Sequence, residues 1–335
     1  MKREITSGFI MAILLLSVVF LNVAASQPYF RSNDLEEGYN FYVGIWHFDE
    51  GSGDTAVDSS PFKNNADLYG TNWTNGVLGK ALYFDGKNDF VLVNDFPFLN
   101  FGKLDCFSLD LYIKKYDSLI KSPEGIISKN TGKFYQGYGL TTYPNNTIGF
   151  IIGDGNQNYI LYSKTTIGGN EWHHIVAVWD GNTQYLYIDD ELDSETYRGD
   201  ITIQDDYKYL EFGNHWGYTD NYHPFRGVID EVKIATRHPI TKPKTGCLYI
   251  LDKDIMPLSK TIIIGKITVK VDFPEVNKVE FYVDGKYKYT SFSQFEWLWN
   301  EFSVGKHDIM VACYYSWYGE EKIITDNIDV LAFNI

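Results

Sequence analysis

Apolar residues are arranged along this chain in two ways. One nearly all-apolar run covers Phe9 to Val23; after it, apolar positions come in short strings separated by polar residues, as in Phe107-Ser-Leu109-Asp-Leu111-Tyr-Ile113 and Ile175-Val-Ala-Val-Trp179. Successive side chains on a strand point to opposite faces, so period-two strings predict strands with one buried face. The strings end in Gly, Asn or Asp, and none continues into a long 3.6-residue period. An antiparallel sandwich follows from that pattern.

The same pattern divides the chain. Lys2 and Arg3 precede the long apolar run, and small Ala24, Ala25 and Ser26 follow it. This is the layout of a signal peptide over 1–26, which predicts a secreted or cell-surface protein. If the segment stayed uncleaved it would anchor the chain in a membrane, the one membrane contact expected here. Residues 27–38 are polar and read as a linker. A strand-rich unit occupies 39–240, a linker with Lys242-Pro243-Lys244 is expected over 241–247, and a second unit of single-sandwich size covers 248–335.

Composition narrows the function. With 44% hydrophobic and 17% aromatic residues, the chain can build cores and is not globally disordered. The 29 basic against 44 acidic residues leave a net charge of −15, which repels phosphate backbones, so no nucleic-acid partner is expected. Three cysteines, Cys106, Cys247 and Cys313, show neither metal nor redox spacing. Cys313 falls on the apolar side of a strand as a free thiol, with a Cys247–Cys313 bridge left open.

Three segments share a local design: Leu82-Tyr-Phe-Asp-Gly86, Leu186-Tyr-Ile-Asp-Asp190 and Phe281-Tyr-Val-Asp-Gly285. Each strand runs into a pair that tolerates positive φ, so each predicts a tight hairpin. The likeness stops at the turns and reads as shared hairpin chemistry, not a repeat.

A longer constellation goes further. Ile45-Trp46-His-Phe48-Asp49-Glu50-Gly51-Ser-Gly53 leads to Asp58-Ser59-Ser60, Asn64 and Trp73, then to Gly79-Lys-Ala81-Leu82-Tyr-Phe84-Asp85-Gly86. Later come Trp172-His173-His174-Ile175, Asp180-Gly181 and Phe225-x-Gly227-x-Ile229-Asp230-Glu231-Val232. In order and spacing these resemble the bacterial and archaeal laminin-G-like, concanavalin A-like jelly roll. The second unit, with Val279-Glu-Phe281-Tyr-Val283, Trp297-x-Trp299 and Gly305-Lys-His307, resembles bacterial immunoglobulin-like modules. The resemblance implies an all-β chain: a jelly-roll sandwich followed by an immunoglobulin-like sandwich that serves as spacer. It also implies a structural calcium between the first and last strands of the jelly roll, with Asp49 and Asp230 as its carboxylate ligands.

The remaining candidates come from the residues themselves. Trp216, Tyr218, Asp220, Asn221 and Tyr222 lie in a polar, aromatic, Gly-bearing stretch between two strands. Aromatic faces stack on sugar C–H groups while Asn and Asp bind hydroxyls, so this loop is the expected carbohydrate site. Glu191-Leu-Asp193-Ser-Glu195 has the E-x-D-x-E spacing of laminarinase-type glycoside hydrolases. It follows directly on a hairpin and lacks an apolar residue at Ser194, so catalysis is not expected there. Adjacent His173 and His174 point to opposite faces and cannot share a metal. The expected protein is a non-enzymatic binding or adhesion module for a polysaccharide or a cell-surface glycan or protein. The alternatives are a secreted glycoside hydrolase and a structural surface module without a small ligand.

Overall fold

The computed structural model describes residues 41–102, 106–116, 122–129, 135–204, 209–214, 224–236, 240–244, 246–273, 276–317 and 319–334. The first unit is a sandwich of two eight-stranded antiparallel sheets. One runs Glu191–Tyr197, Thr183–Ile188, Trp172–Trp179, Phe107–Lys115, Arg226–Thr236, Lys80–Asp85, Asn72–Asn75, with Phe41–Trp46 also on Arg226–Thr236. The other runs Asn158–Tyr162, Ile148–Asp154, Gln136–Thr142, Glu124–Lys129, Leu210–Phe212, Phe90–Val93, Ala66–Tyr69, Thr55–Ala56. This is the antiparallel sandwich expected from the alternation, in the all-β jelly-roll class that the resemblance implies.

Register explains the alternation. Phe107, Leu109, Leu111 and Ile113 are fully buried and pair across to Trp179, Ala177, Ile175 and His173. Facing them, Tyr138, Leu140, Phe150 and Ile152 come from the other sheet. Burying each large apolar side chain contributes roughly 1.5–3 kcal/mol, so these rows are what hold the sheets together. Wholly buried Asp58 organises the opening motif: its carboxylate accepts N–H bonds from Ile45, Ser60 and Asn64 and an O–H bond from Ser60.

The second unit packs a three-stranded sheet, Ile240–Lys242, Ile267–Val271 and Glu296–Trp299, with a seven-stranded one. The larger sheet runs Lys253–Pro257, Cys247–Ile250, Thr261–Ile264, Glu320–Asn334, Ser303–Trp317, Val276–Val283, Lys286–Ser291. Ile267, Val269, Phe281, Trp299, Ile309 and Val311 supply its core. The linker expected over 241–247 is not one. Ile240–Lys242 pairs with Ile267–Val271, and another strand opens at Cys247, so Pro243 ends a strand at a sheet edge, where its missing N–H costs nothing. All three cysteines are buried free thiols, and burial pushes the Cys313 thiol up to about 12.

Aromatic rings join the two units. Phe98 stacks on Phe273 with centroids 4.6 Å apart and meets Tyr315 edge-on at 4.8 Å. Phe41 lies 5.0 Å from Phe273, and Phe62 lies 6.2 Å from Tyr315. The buried rings among these belong to one continuous core that includes both sandwiches. Nothing in the local patterning announces this contact, because its partners come from distant turns and strand ends.

Candidate functional site

The loop expected to bind carbohydrate leaves the second sheet after Leu210–Phe212 and enters the first at Arg226–Thr236. Its ends are pinned together: the Gly213 N–H donates to Ile126 O, and the Phe225 N–H donates to Gly213 O at 2.9 Å. Gly213 takes φ +78 and lies against the Phe84 ring, where a Cβ would sit 2.2 Å from a ring carbon, so only glycine fits. At the foot of the loop, buried Asn214 donates to Glu211 at 3.1 Å, while its own Oδ1 has no partner among the described residues. Trp216, Tyr218, Asp220, Asn221 and Tyr222 lie outside the described residues.

Asp49 and Asp230 meet the same turn, residues 76–80. Asp49 accepts the Lys80 N–H at 2.7 Å. Asp230, wholly buried in Arg226–Thr236, accepts the N–H groups of Val77 and Leu78 at 2.8 and 3.2 Å and that of Glu231 at 2.9 Å. Burial pushes its carboxyl up to about 6 against the pull of those bonds, with the Glu231 carboxylate adding to the rise. The Leu78 and Lys80 carbonyl oxygens crowd the same spot beside Gly76, where a Cβ would sit 2.3 Å from Asp230 Oδ2. The carboxylate and carbonyl oxygens here are of the hard kind that calcium takes, but both Asp230 oxygens already accept backbone N–H groups. Among the described residues no set of three or more His, Cys, Asp or Glu side chains forms a metal cage.

The E-x-D-x-E segment forms the edge strand Glu191–Tyr197, not a turn. Its register with Thr183–Ile188 slips between Leu186 and Tyr187, so Asp193 is an extra, bulged residue. Glu191 pairs with Ile188 and Glu195 with Tyr185, which puts the two glutamates on opposite faces. Asp193 is taken by the Lys164 and Thr165 N–H groups at 2.7 and 2.8 Å. The three acids cannot flank one glycosidic bond. Ser194, expected to leave its side of the strand unburied, is buried.

The sequence carries no expectation for the histidines beyond the adjacent pair, and the structure gives them partners. Each of the four described ones meets a carboxylate. His47 binds Glu231 at 2.9 Å and His173 binds Asp189 at 2.9 Å. His174 lies between Asp110 at 2.9 Å and Asp190 at 2.7 Å and stacks on Tyr112. Its pKa is raised: desolvation lowers it, and the two carboxylates outweigh that. In the second sandwich, His307 Nδ1 lies 2.8 Å from Asp284 and its Nε2 lies 2.6 Å from Ser303 Oγ. The Asp284 carboxylate is held below its ordinary range, first of all by the His307 bond. No spacing in the sequence announces these pairs, since His173 precedes its aspartate by 16 residues and His307 follows its own by 23.

Residues 85–240 match the family model described as the concanavalin A-like lectin/glucanases superfamily, so a concanavalin A-like domain lies there. The chain matches no curated protein. Among solved structures it is similar to domain 4 of AbnA, a GH43 extracellular arabinanase from Geobacillus stearothermophilus in complex with arabinotriose. That match has 16% identity over 60% of this chain and 94% of the other, with a TM-score of 0.46. The botulinum neurotoxin serotype D binding domain aligns at 12% identity over 86% and 74% of the two chains, TM-score 0.46. The Ruminococcus gnavus IT-sialidase CBM40 aligns at 12% over 39% and 76%, TM-score 0.34.

Proposed function

We propose that this chain is an exported binding protein whose jelly roll recognises a carbohydrate or a cell-surface partner without cleaving it. The superfamily matched by residues 85–240 is described by lectins and glucanases. The bulge at Asp193 is the observation that supports the lectin reading, because it separates the carboxylates that a glucanase would need on one face. The 213–224 loop is the binding element in this reading, held at its base by Gly213 and Phe225. The second sandwich acts as an immunoglobulin-like spacer. Support for that comes from its strand arrangement, with a three-stranded sheet facing a larger one in which Thr261–Ile264 runs parallel to Glu320–Asn334. Export rests on the signal-like start of the sequence.

A glycan array probed with the chain, with and without Trp216→Ala and Tyr218→Ala, tests the reading. Binding lost in both variants is expected. Release of reducing sugar from a β-glucan by the unaltered chain would overturn it.

A calcium ion at the 76–80 turn is part of the same proposal. Asp49, Asp230 and the neighbouring carbonyls would hold it, and its charge would offset the burial of Asp230. Calcium should raise the melting temperature of the unaltered chain and leave Asp230→Ala unmoved. An equal calcium effect in both would remove the ion from this turn.

A further inference from the structure

The Asp284–His307–Ser303 chain has the order carboxylate, imidazole, hydroxyl, with contacts of 2.8 and 2.6 Å. That is the arrangement in which an imidazole removes a proton from an attacking hydroxyl while an acid fixes its tautomer. Trp299 packs edge-on against the imidazole at 5.5 Å and helps to set its plane. The acid also receives the Asp308 N–H at 3.1 Å, so its orientation is fixed from the backbone.

The meeting of Ser303 and His307 is not an automatic result of strand geometry. The two are four residues apart on Ser303–Trp317. At about 3.3 Å per residue a regular strand would hold their Cα atoms about 13 Å apart, beyond the combined reach of the side chains. Gly305, midway between them, has φ +123, a conformation that L side chains rarely adopt, and open space surrounds the position its Cβ would take. The glycine is therefore needed for the path of the backbone and not for want of room. The Asp189–His173 pair of the first sandwich repeats the acid–imidazole contact, but among the described residues no hydroxyl meets His173 Nε2. Ser303 is an addition to a pairing that holds a hairpin without it.

We propose that Ser303 is a nucleophile that accepts the acyl group of short-chain esters, with His307 as its general base and Asp284 positioning the imidazole. Ser303 Oγ forms a bond to the ester carbonyl carbon as its proton passes to His307 Nε2. The C–O bond to the alcohol then breaks, and that proton moves to the departing oxygen. Water attacks the acyl-serine with His307 again taking the proton, the Oγ–C bond breaks, and a carboxylic acid leaves with Ser303 restored. The His307 Nδ1 proton stays on its bond to Asp284 throughout. Ser303 itself is half-buried, which leaves its hydroxyl within reach of a small acyl group.

The test uses the whole chain and p-nitrophenyl acetate. Nitrophenolate release is followed, and the acetylated residue is located by peptide mass mapping. Base assistance of this kind gives about 10²–10⁴-fold, so Ser303 should acetylate at least about 10²-fold faster than in His307→Gln, and Ser303→Ala should lose the modification. Circular dichroism checks that both variants are folded. A measurement on the unaltered chain alone stands beside them: prior acetylation should block labelling of Ser303 by an alkyl fluorophosphonate. No acetyl group on Ser303, or equal acetylation in folded His307→Gln, would overturn the proposal.

Discussion

The hairpin of the first sandwich around Asp189 and that of the second around Asp284 are built alike, though one lies in a jelly roll and the other in a smaller unit. In both, the first turn residue has φ near 50 and the second near 68: 52 and 68 at Asp189 and Asp190, 51 and 69 at Asp284 and Gly285. In both, the aspartate accepts a backbone N–H from the neighbouring strand and meets a histidine beside it, His174 N and His173 in one, Asp308 N and His307 in the other. The likeness runs past the turn. Each return strand carries its register slip at the same place, between Leu186 and Tyr187 and between Phe281 and Tyr282. The expectation that the similarity stops at the turns is thus too short. Glu191, Asp193 and Glu195 occupy the positions that Lys286, Lys288 and Thr290 hold in the second hairpin. The acids decorate a common scaffold that needs none of them, which is a further reason not to read them as catalytic.

What differs is attached to the scaffold. In the first hairpin a second histidine, His174, reaches Asp110 and Asp190 and ties the turn to the neighbouring strand. In the second, Asp308 stands in that place, and Ser303 uses the far nitrogen of the imidazole. One hairpin has gained a charged clasp, the other a polarised hydroxyl.

The largest test removes what the hairpins share. Asp189→Ala and Asp284→Ala should each cost about 2 kcal/mol in urea unfolding, the value of hydrogen bonds to a charged group. If only one of them destabilised the chain, the two pairings would not be equivalent. Next is Gly285→Ala, which should cost about 1 kcal/mol because φ there is positive, while Asp190→Gly gains in turn strain and loses a carboxylate on His174.

A pH series sharpens the difference. The raised pKa of His174 contributes stability that is fully present below the unfolded value near 6.5 and is lost as pH rises through the folded value. His174→Gln should flatten that fall. Asp230 acts in another window. Its raised carboxyl makes the fold lose stability as pH climbs from about 4 to about 6, so in calcium-free buffer Asp230→Ala should lack that loss. An effect as small as that of Gly285→Ala is expected from Asp193→Lys, which installs the residue type of the second hairpin. It gives up two N–H contacts at a partly exposed site, about 1 kcal/mol by thermal melting.

The readable part of this protein was local. Phe107 to Ile113 alternates because each position sees one face, and the Asp-Gly and Asp-Asp pairs mark turns because few other residues tolerate their φ. Such signals need only a few neighbouring residues. The buried carboxylate of Asp230 is different: its donors lie 153 and 152 positions away, and nothing around Asp230 says whether they will be N–H groups or a cation. The bulge that parts Glu191 from Glu195 is equally silent, since spacing is measured along one strand and a bulge depends on its partner.

By itself, then, the sequence determined the strands, their buried faces, the hairpin turns and the sandwich class, because period-two burial and positive-φ turns are properties of short segments. Only the tertiary structure decided that Phe98 would stack on Phe273, that 240–242 would be a strand instead of a linker, and that Ser303 would reach His307. Each of these depends on which distant segments come to lie side by side, and alternation fixes the face a residue shows without naming what it will meet.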